Sequence, residues 1–118
     1  MRILDVEAVP VREASEITEH LAPGEEVHAA FRSPSAAVLF TAARIVLVER
    51  NALLDEKVET SSFSYRAMRQ FAVAESASAG ARVALKIWLG ADPQPLHLRA
   101  AGDTDLRPLQ QYLATRLG

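Results

Sequence analysis

The stretch VALKIWLGADPQPLHLRA, residues 83–100, decides the fold of this chain. Over residues 83–89, aliphatic side chains occupy every second position, which is typical of a strand with one buried face. The segment 90–95 contains one glycine, two prolines and an aspartate, and is therefore predicted to be a turn. Aliphatic and polar residues alternate again over 96–100. The stretch thus predicts an antiparallel hairpin.

Pairing core residues with each other predicts which side chains share the outer face of this hairpin. If the two leucines that border the turn lie opposite each other, Trp88 faces His97 and Lys86 faces Arg99. An exposed tryptophan is unusual on a monomer, and facing like charges are unfavourable, so a partner surface with carboxylates is expected here. The predicted contact surface consists of Lys86, Trp88, His97 and Arg99. Alternatively, the N-terminal helix or the stem of Lys86 covers Trp88.

The segment after the hairpin predicts a helix, because leucines recur at steps of three and four residues. These leucines are Leu106, Leu109, Leu113 and Leu117. Any of the residues 103–105 can serve as the N-cap, and Pro108 then lies in the first turn, where its missing N–H costs least. We expect Leu109 and Leu113 to plug the open end of a curled sheet.

Five further strands are predicted before the hairpin, each bounded by turn residues. They cover residues 26–31, 36–41, 44–49, 57–63 and 68–74. In the first of them, Val27, Ala29 and Phe31 are expected to share one face. A short amphipathic helix is predicted for residues 11–21. The whole pattern is that of a mainly β, α+β domain with about seven strands and a final helix.

The second and third of these strands are apolar on both faces and are predicted to form a tight hairpin. Their outer face must therefore be covered, either by the rest of the domain or by another chain.

Length and composition predict one cytoplasmic domain, residues 1–118, with its core over about 21–117 and an extension with the short helix over 1–22. The net charge of -2 disfavours nucleic acid and strong binding to anionic membranes. The absence of cysteine excludes disulfides and thiolate chemistry. Neither a secretory signal nor a membrane-spanning run is expected.

Four segments, in this order and spacing, resemble the bacterial pleckstrin homology (PH) domain family. They are LAPGEE (21–26), FTAARIVL (40–47), YRAMRQFAVAE (65–75) and LKIWL (85–89). The resemblance covers about residues 21–117 and implies a seven-stranded, partly open barrel capped by the C-terminal helix. It also implies a non-catalytic protein that forms homo-oligomers, in this family ring-shaped ones. Ala42, Ser64 and the lack of glycine over 51–54 depart from the family's usual turns.

Candidate catalytic and metal-binding residues do not form a recognisable motif. The histidines His20, His28 and His97 have no partner at metal-ligand spacing, so a metal site is not expected. The serines Ser61, Ser62 and Ser64 lack the glycines of a nucleophile elbow. The carboxylate pairs Glu25-Glu26 and Asp55-Glu56 are expected to be solvated. No catalytic residue and no cofactor is therefore predicted.

The first hairpin loop, residues 31–35, contains one basic residue, Arg32. Eukaryotic PH domains that bind inositol phosphates use several converging cations in this region. Phosphoinositide binding by that route is therefore not expected. The predicted function is a non-enzymatic binding or scaffold domain that self-associates. The alternative is an adaptor that binds a protein or peptide partner through its sheet surface.

Overall fold

The computed structural model describes residues 3–11, 21–51, 57–75 and 82–117, and all structural statements concern these residues. The chain forms two compact units. The first comprises Met1–Glu7 with Tyr65–Gly118, and the second comprises Ala8–Ser64.

Nine strands lie in the described part of the chain. In chain order they are β1 (Ile3–Asp5), β2 (Glu7–Val9), β3 (Val27–Arg32), β4 (Ala36–Thr41), β5 (Arg44–Asn51), β6 (Lys57–Ser64), β7 (Met68–Glu75), β8 (Arg82–Leu89) and β9 (Leu96–Ala101). A 3-10 turn, Tyr65–Ala67, joins β6 to β7, and helix α1 covers Arg107–Arg116.

The seven predicted strands are confirmed as β3 to β9, with ends shifted by one or two residues. Strands β1 and β2 were not predicted, because three residues are too few to show a period. The helix predicted for residues 11–21 falls almost entirely outside the described residues.

Apart from Glu7, the first residue of β2, the second unit contains one five-stranded sheet in the order β2-β3-β4-β5-β6. All six residues of β4 are buried. On one face of the sheet, Ala37 and Leu39 belong to an apolar cluster with Val9, Ala30 and Val46. The two-sided apolar pattern of β4 is therefore explained by burial within this chain, and this hairpin does not require a second chain to cover it.

An irregularity in β3 changes the face assignment predicted for this strand. The register of β3 on β4 shifts between Val27 and Ala29. Val27 consequently packs against the cluster with Ala30, while the Phe31 ring meets Phe40 edge to face, with centroids 6.0 Å apart. The prediction that Val27, Ala29 and Phe31 share one face is thus wrong for Val27, because an extra residue in a strand reverses the alternation.

The first unit contains a four-stranded sheet in the order β1-β9-β8-β7, in which β1 is parallel to β9. The inner face of the β8–β9 hairpin is aliphatic: Leu85 lies opposite Leu98 and Ile87 opposite Leu96, and all four residues are buried. The remaining strand pairs of this sheet are antiparallel.

Helix α1 buries Leu109 and Leu113, as expected, whereas Leu117 at its C-cap is 43% exposed. The N-cap is Leu106 rather than one of the residues 103–105. Asp105 nevertheless satisfies part of the helix terminus, because its Oδ1 accepts a hydrogen bond of 3.0 Å from the backbone N–H of Arg107. Pro108 lies in the first turn, as predicted.

Candidate functional site

The outer face of the four-stranded sheet carries all four residues of the predicted contact surface. Directly opposite residues form rows across the strands of this face. The rows are Asp5–Arg99–Ala84–Ala74, Ile3–His97–Lys86–Ala72 and Trp88–Gln70. Trp88, Lys86, His97 and Arg99 are each partly buried, and Ile3 is 55% exposed. We refer to these ten residues, together with Arg82, which precedes Ala84 by two residues on β8 and so lies on the same side, as the outer face.

The register within this face differs from the predicted one by two residues. His97 lies opposite Lys86, and Arg99 lies opposite Ala84, while Trp88 pairs with Gln70 of β7. The predicted pairs Trp88–His97 and Lys86–Arg99 are therefore wrong. A slip of two residues leaves every side chain on its predicted face, since side chains alternate with a period of two.

The turn after β8 accounts for the shift. Gly90 adopts a φ of 58°, and its backbone N–H donates a 2.7 Å hydrogen bond to the carbonyl of Ala67. Leu89 is accordingly paired with Met68 of β7 and has no partner in β9. The last pair between β8 and β9 is Ile87–Leu96. The connection between the paired strands is therefore residues 88–95, which is longer than the predicted turn, residues 90–95.

Asp5 neutralises part of the positive charge on the outer face. Its two carboxylate oxygens each accept a 2.9 Å hydrogen bond from Arg99, through Nε and Nη2. Arg82 Nη1 lies 3.3 Å from the same carboxylate. The hydrogen bonds from Arg99 are the main reason why the pKa of Asp5 is lowered from its ordinary value.

Lys86 and His97 are the neighbouring pair in the next row, and their charges are not compensated in this way. Among the described residues Lys86 makes no ion pair. The pKa of His97 is lowered, chiefly by burial and then by the positive charges of Lys86 and Arg99, while Asp5 acts in the opposite direction. Burial and the two neighbouring cations therefore favour the neutral form of His97.

A second polar cluster lies in the five-stranded unit and was not foreseen from the sequence. The Glu25 carboxylate accepts hydrogen bonds from Arg44 Nε and Nη2, both 2.9 Å, and from Thr41 Oγ1 at 2.8 Å. A fourth donor is the backbone N–H of Ala22, at 3.0 Å. The Glu25 side chain is only 6% exposed. The expectation that Glu25 is solvated is therefore wrong.

The local sequence places Glu25 at the end of a tight turn. Glu25 N–H bonds to the carbonyl of Ala22, and Gly24 adopts a φ of 77°. Proline followed by a glycine of positive φ, as in Pro23-Gly24, is the signature of a type II turn. Arg44 is the main reason why the pKa of Glu25 falls to about 2. The signal that could have revealed the pair is that Glu25 and Arg44 both lie in family-like segments, LAPGEE and FTAARIVL.

An open depression of about 490 Å³ lies beside this turn. It is lined by Val11, Leu21, Val27 and the turn residues 22–25. Glu25 is the charged residue of this lining, and its carboxylate is already engaged by the donors described above. The depression therefore offers an apolar surface rather than a reactive group.

Candidate ligands for a metal ion do not come together within the described ranges: no group of three or more His, Cys, Asp or Glu could hold an ion there. His28 is exposed on β3, and Ser62 of β6 accepts a hydrogen bond from Arg44 Nη1. His20 and the pair Asp55-Glu56 lie outside the described residues.

The described helix, α1, is too short to cross a bilayer, and no other helix long and apolar enough to do so occurs in the part of the chain that the structure describes.

The sequence as a whole was compared with known proteins. A model of the family described as "Bacterial PH domain" matches residues 3–117. The uncharacterized protein YjqA of Bacillus subtilis is 29% identical over 100 residues, which cover 84% of this chain and 80% of that protein.

Solved structures with the same fold also come from bacteria. A DUF1696 family protein with a pleckstrin homology domain from Shewanella loihica matches with a TM-score of 0.75 and 24% identity, over 94% of this chain and 96% of that chain. A pleckstrin homology domain from Shewanella amazonensis matches with a TM-score of 0.65 and 24% identity, over 90% and 96%. The two sheets with their C-terminal helix thus have a PH-like fold.

Proposed function

The chain belongs to the bacterial PH domain family, and from that premise we propose that it is a non-catalytic binding or scaffold module that self-associates into a homo-oligomer. The outer face is the proposed contact surface, with Lys86, Trp88, His97 and Arg99 at its centre. The observation that supports this most is that a partly exposed tryptophan lies on the same sheet face as an exposed isoleucine, Ile3.

The distribution of charge supports contact between two copies through unlike surfaces. Three cations, Arg82, Lys86 and Arg99, accompany one carboxylate, Asp5, so these four residues have a net charge of +2. The whole chain has a net charge of -2, and the other residues together therefore carry -4. Two such faces would repel each other, whereas one face attracts the remaining surface of a second copy. Contacts of this heterologous type form a ring when the rotation between copies closes, and a ring is the assembly we propose.

The titratable groups of the described residues give little support for a catalytic role. The strongly engaged carboxylates are Asp5 and Glu25, and each is bound by an arginine, including Glu25 beside the open depression. PH-like domains are generally non-catalytic. We therefore propose that the protein is not an enzyme and needs no cofactor. A location in the cytoplasm is proposed separately, because the sequence contains no cysteine.

The second candidate function is that of an adaptor, in which the outer face binds a protein or peptide other than a second copy. The same exposed aromatic and cationic side chains support it. Phosphoinositide or membrane-surface binding is the weaker alternative, because the β3–β4 hairpin has one arginine, Arg32 at the end of β3, next to its turn.

Light scattering of the full chain over a range of concentrations tests the proposal. We expect a defined oligomer for the unmodified chain, and smaller, folded species for Trp88→Ala combined with Lys86→Glu. Arg99 is left unchanged in this variant, because a carboxylate at that position would face Asp5.

The matched control is Val58→Ala combined with Lys57→Glu, both on β6. Val58 is an exposed apolar residue, and Lys57 is the chain's other lysine. This control should keep the oligomer's mass. Dissociation by the control but not by the outer-face variant would place the interface elsewhere. A monomer at every concentration would refute self-association and favour the adaptor.

A further inference from the structure

Lys86 and His97 form the part of the outer face where charge is left unbalanced. We propose that these two side chains are a carboxylate-binding site, which takes an aspartate or glutamate side chain from a second copy of this chain. This inference rests on the proposed self-association and names the chemical group that the contact recognises.

The strand register places two nitrogen donors side by side on the outer face. Lys86 and His97 lie directly opposite each other on antiparallel strands, and such pairs have their Cβ atoms about 4.5–5.5 Å apart. The ammonium and the imidazole can therefore reach the two oxygens of one carboxylate. Ala72 and Ala84, the neighbours of Lys86 on this face, have small side chains. Trp88 and Ile3 border the pair with apolar surface.

The carboxylate that the outer face already has cannot fill this role. Asp5 accepts two hydrogen bonds from Arg99 and one from Arg82, in the row next to that of His97. Lys86 is left without an ion pair among the described residues. An incoming carboxylate would provide the missing counter-charge, and the rest of a second copy, at -4, is a source of such groups.

The available donors suit a carboxylate better than a phosphate. Phosphate recognition relies on arginine forks and several converging cations. The Arg99 fork is already occupied by Asp5. One ammonium and one imidazolium N–H match the two oxygens of a carboxylate, and the apolar border formed by Trp88 and Ile3 suits a protein side chain.

The protonation of His97 couples this contact to pH. The groups that face His97 are Lys86 from β8, Asp5 from β1 and Arg99 on its own strand. In the free protein, burial and the two cations lower the pKa of His97. A carboxylate bound beside it would raise that pKa, because it stabilises the imidazolium. Association is therefore strongest below the pKa of free His97, and the gain is lost as the pH rises through the pKa in the complex.

The test measures the self-association constant of the full chain by sedimentation between about pH 5.5 and about pH 8.5, at constant ionic strength. If the carboxylate raises the pKa of His97 by about one unit, association is tighter at the acid end by a factor of up to about ten. His97→Gln should remove this pH dependence, and Lys86→Gln should weaken association throughout the range. The controls Lys57→Gln and His28→Gln should leave both the affinity and its pH dependence unchanged.

An NMR titration of His97 in the unmodified chain gives the same information without a substitution. The pKa of His97 should be higher in the concentrated, associated protein than in the dilute monomer. An oligomer with the same His97 pKa and the same affinity across the range would overturn the carboxylate site and leave self-association intact. A protein that is monomeric at all concentrations and pH values would overturn both proposals.

Discussion

At the scale of single residues, Glu25 is the clearest case of a charged side chain with a structural role. Its carboxylate links a turn to the β4–β5 hairpin through Thr41 and Arg44. Four donors compensate for its burial, so the cost of removing the charge from water is repaid by hydrogen bonds.

We predict that Glu25→Gln lowers the free energy of unfolding at neutral pH by about 2–3 kcal/mol, because it leaves the Arg44 guanidinium without its counter-charge. The pKa of Glu25 is lowered from 4.5 to about 2. The stability that this group provides is therefore present above pH 4.5 and is lost as the pH falls toward 2. Urea denaturation at neutral and acid pH measures both effects, and the variant should show a weaker loss toward acid pH.

The adjacent residue supplies the control, since Glu26 is exposed. Glu26→Gln should change the free energy of unfolding by no more than about 0.5 kcal/mol. Equal effects of the two substitutions would show that the Glu25–Arg44 pair is not stabilising.

At the scale of secondary-structure elements, helix α1 shows how one face of a short helix is fixed by burial. Leu109 and Leu113 are 6% and 0% exposed, whereas the next leucine along the stripe, Leu117, is 43% exposed. Tyr112 adds a ring contact to Tyr65, with centroids 6.0 Å apart, and the Arg116 guanidinium lies over both rings. A helix of ten residues is marginal alone, so packing must stabilise it.

We predict that Leu113→Ala lowers the free energy of unfolding by roughly 2–5 kcal/mol, because it removes a fully buried side chain and leaves a cavity. Chemical denaturation with an unchanged m value measures this loss. Leu117→Ala, the matched change at an exposed leucine, should cost less than about 0.5 kcal/mol. A loss of that small size for Leu113→Ala would mean that the helix does not contribute to the core.

At the scale of the whole molecule, charge determines which large partners are favoured. The net charge is -2, and the β3–β4 hairpin has one arginine, Arg32, next to its turn. Retention on anionic membranes needs several clustered cations, each worth about 1 kcal/mol near the surface. The outer face is positive, but Arg82 and Arg99, two of its three Lys and Arg side chains, already form ion pairs with Asp5.

We therefore predict that vesicles containing anionic lipids do not retain the protein at physiological salt. Co-sedimentation with phosphatidylserine and phosphoinositide vesicles measures this directly, with neutral vesicles as the control. Salt-sensitive retention that disappears in Arg32→Ala would instead establish the route used by eukaryotic PH domains.

The sequence by itself determined the order of strands β3 to β9 and helix α1, and the family. Alternating or two-sided apolar runs and strand-forming residues, bounded by turn residues, predicted the seven strands, and leucine spacing predicted the final helix. The resemblance to the bacterial PH family is confirmed by the family match over residues 3–117. The same alternation also placed Lys86, Trp88, His97 and Arg99 together on one face.

Only the tertiary structure decided how these elements meet. Strand β1 is too short to produce a pattern, and its position depends on parallel pairing with a strand more than ninety residues away along the chain. This pairing brings Asp5 to Arg99. The register of β8 on β9 goes with the hydrogen bond from Gly90 to Ala67 of the 3-10 turn, and the bulge in β3 is a matter of local backbone geometry. Periodicity is unchanged by a slip of two residues, so it cannot specify which side chains face each other. The pairing of Lys86 with His97, and of Glu25 with Arg44, is for this reason a property of the folded chain.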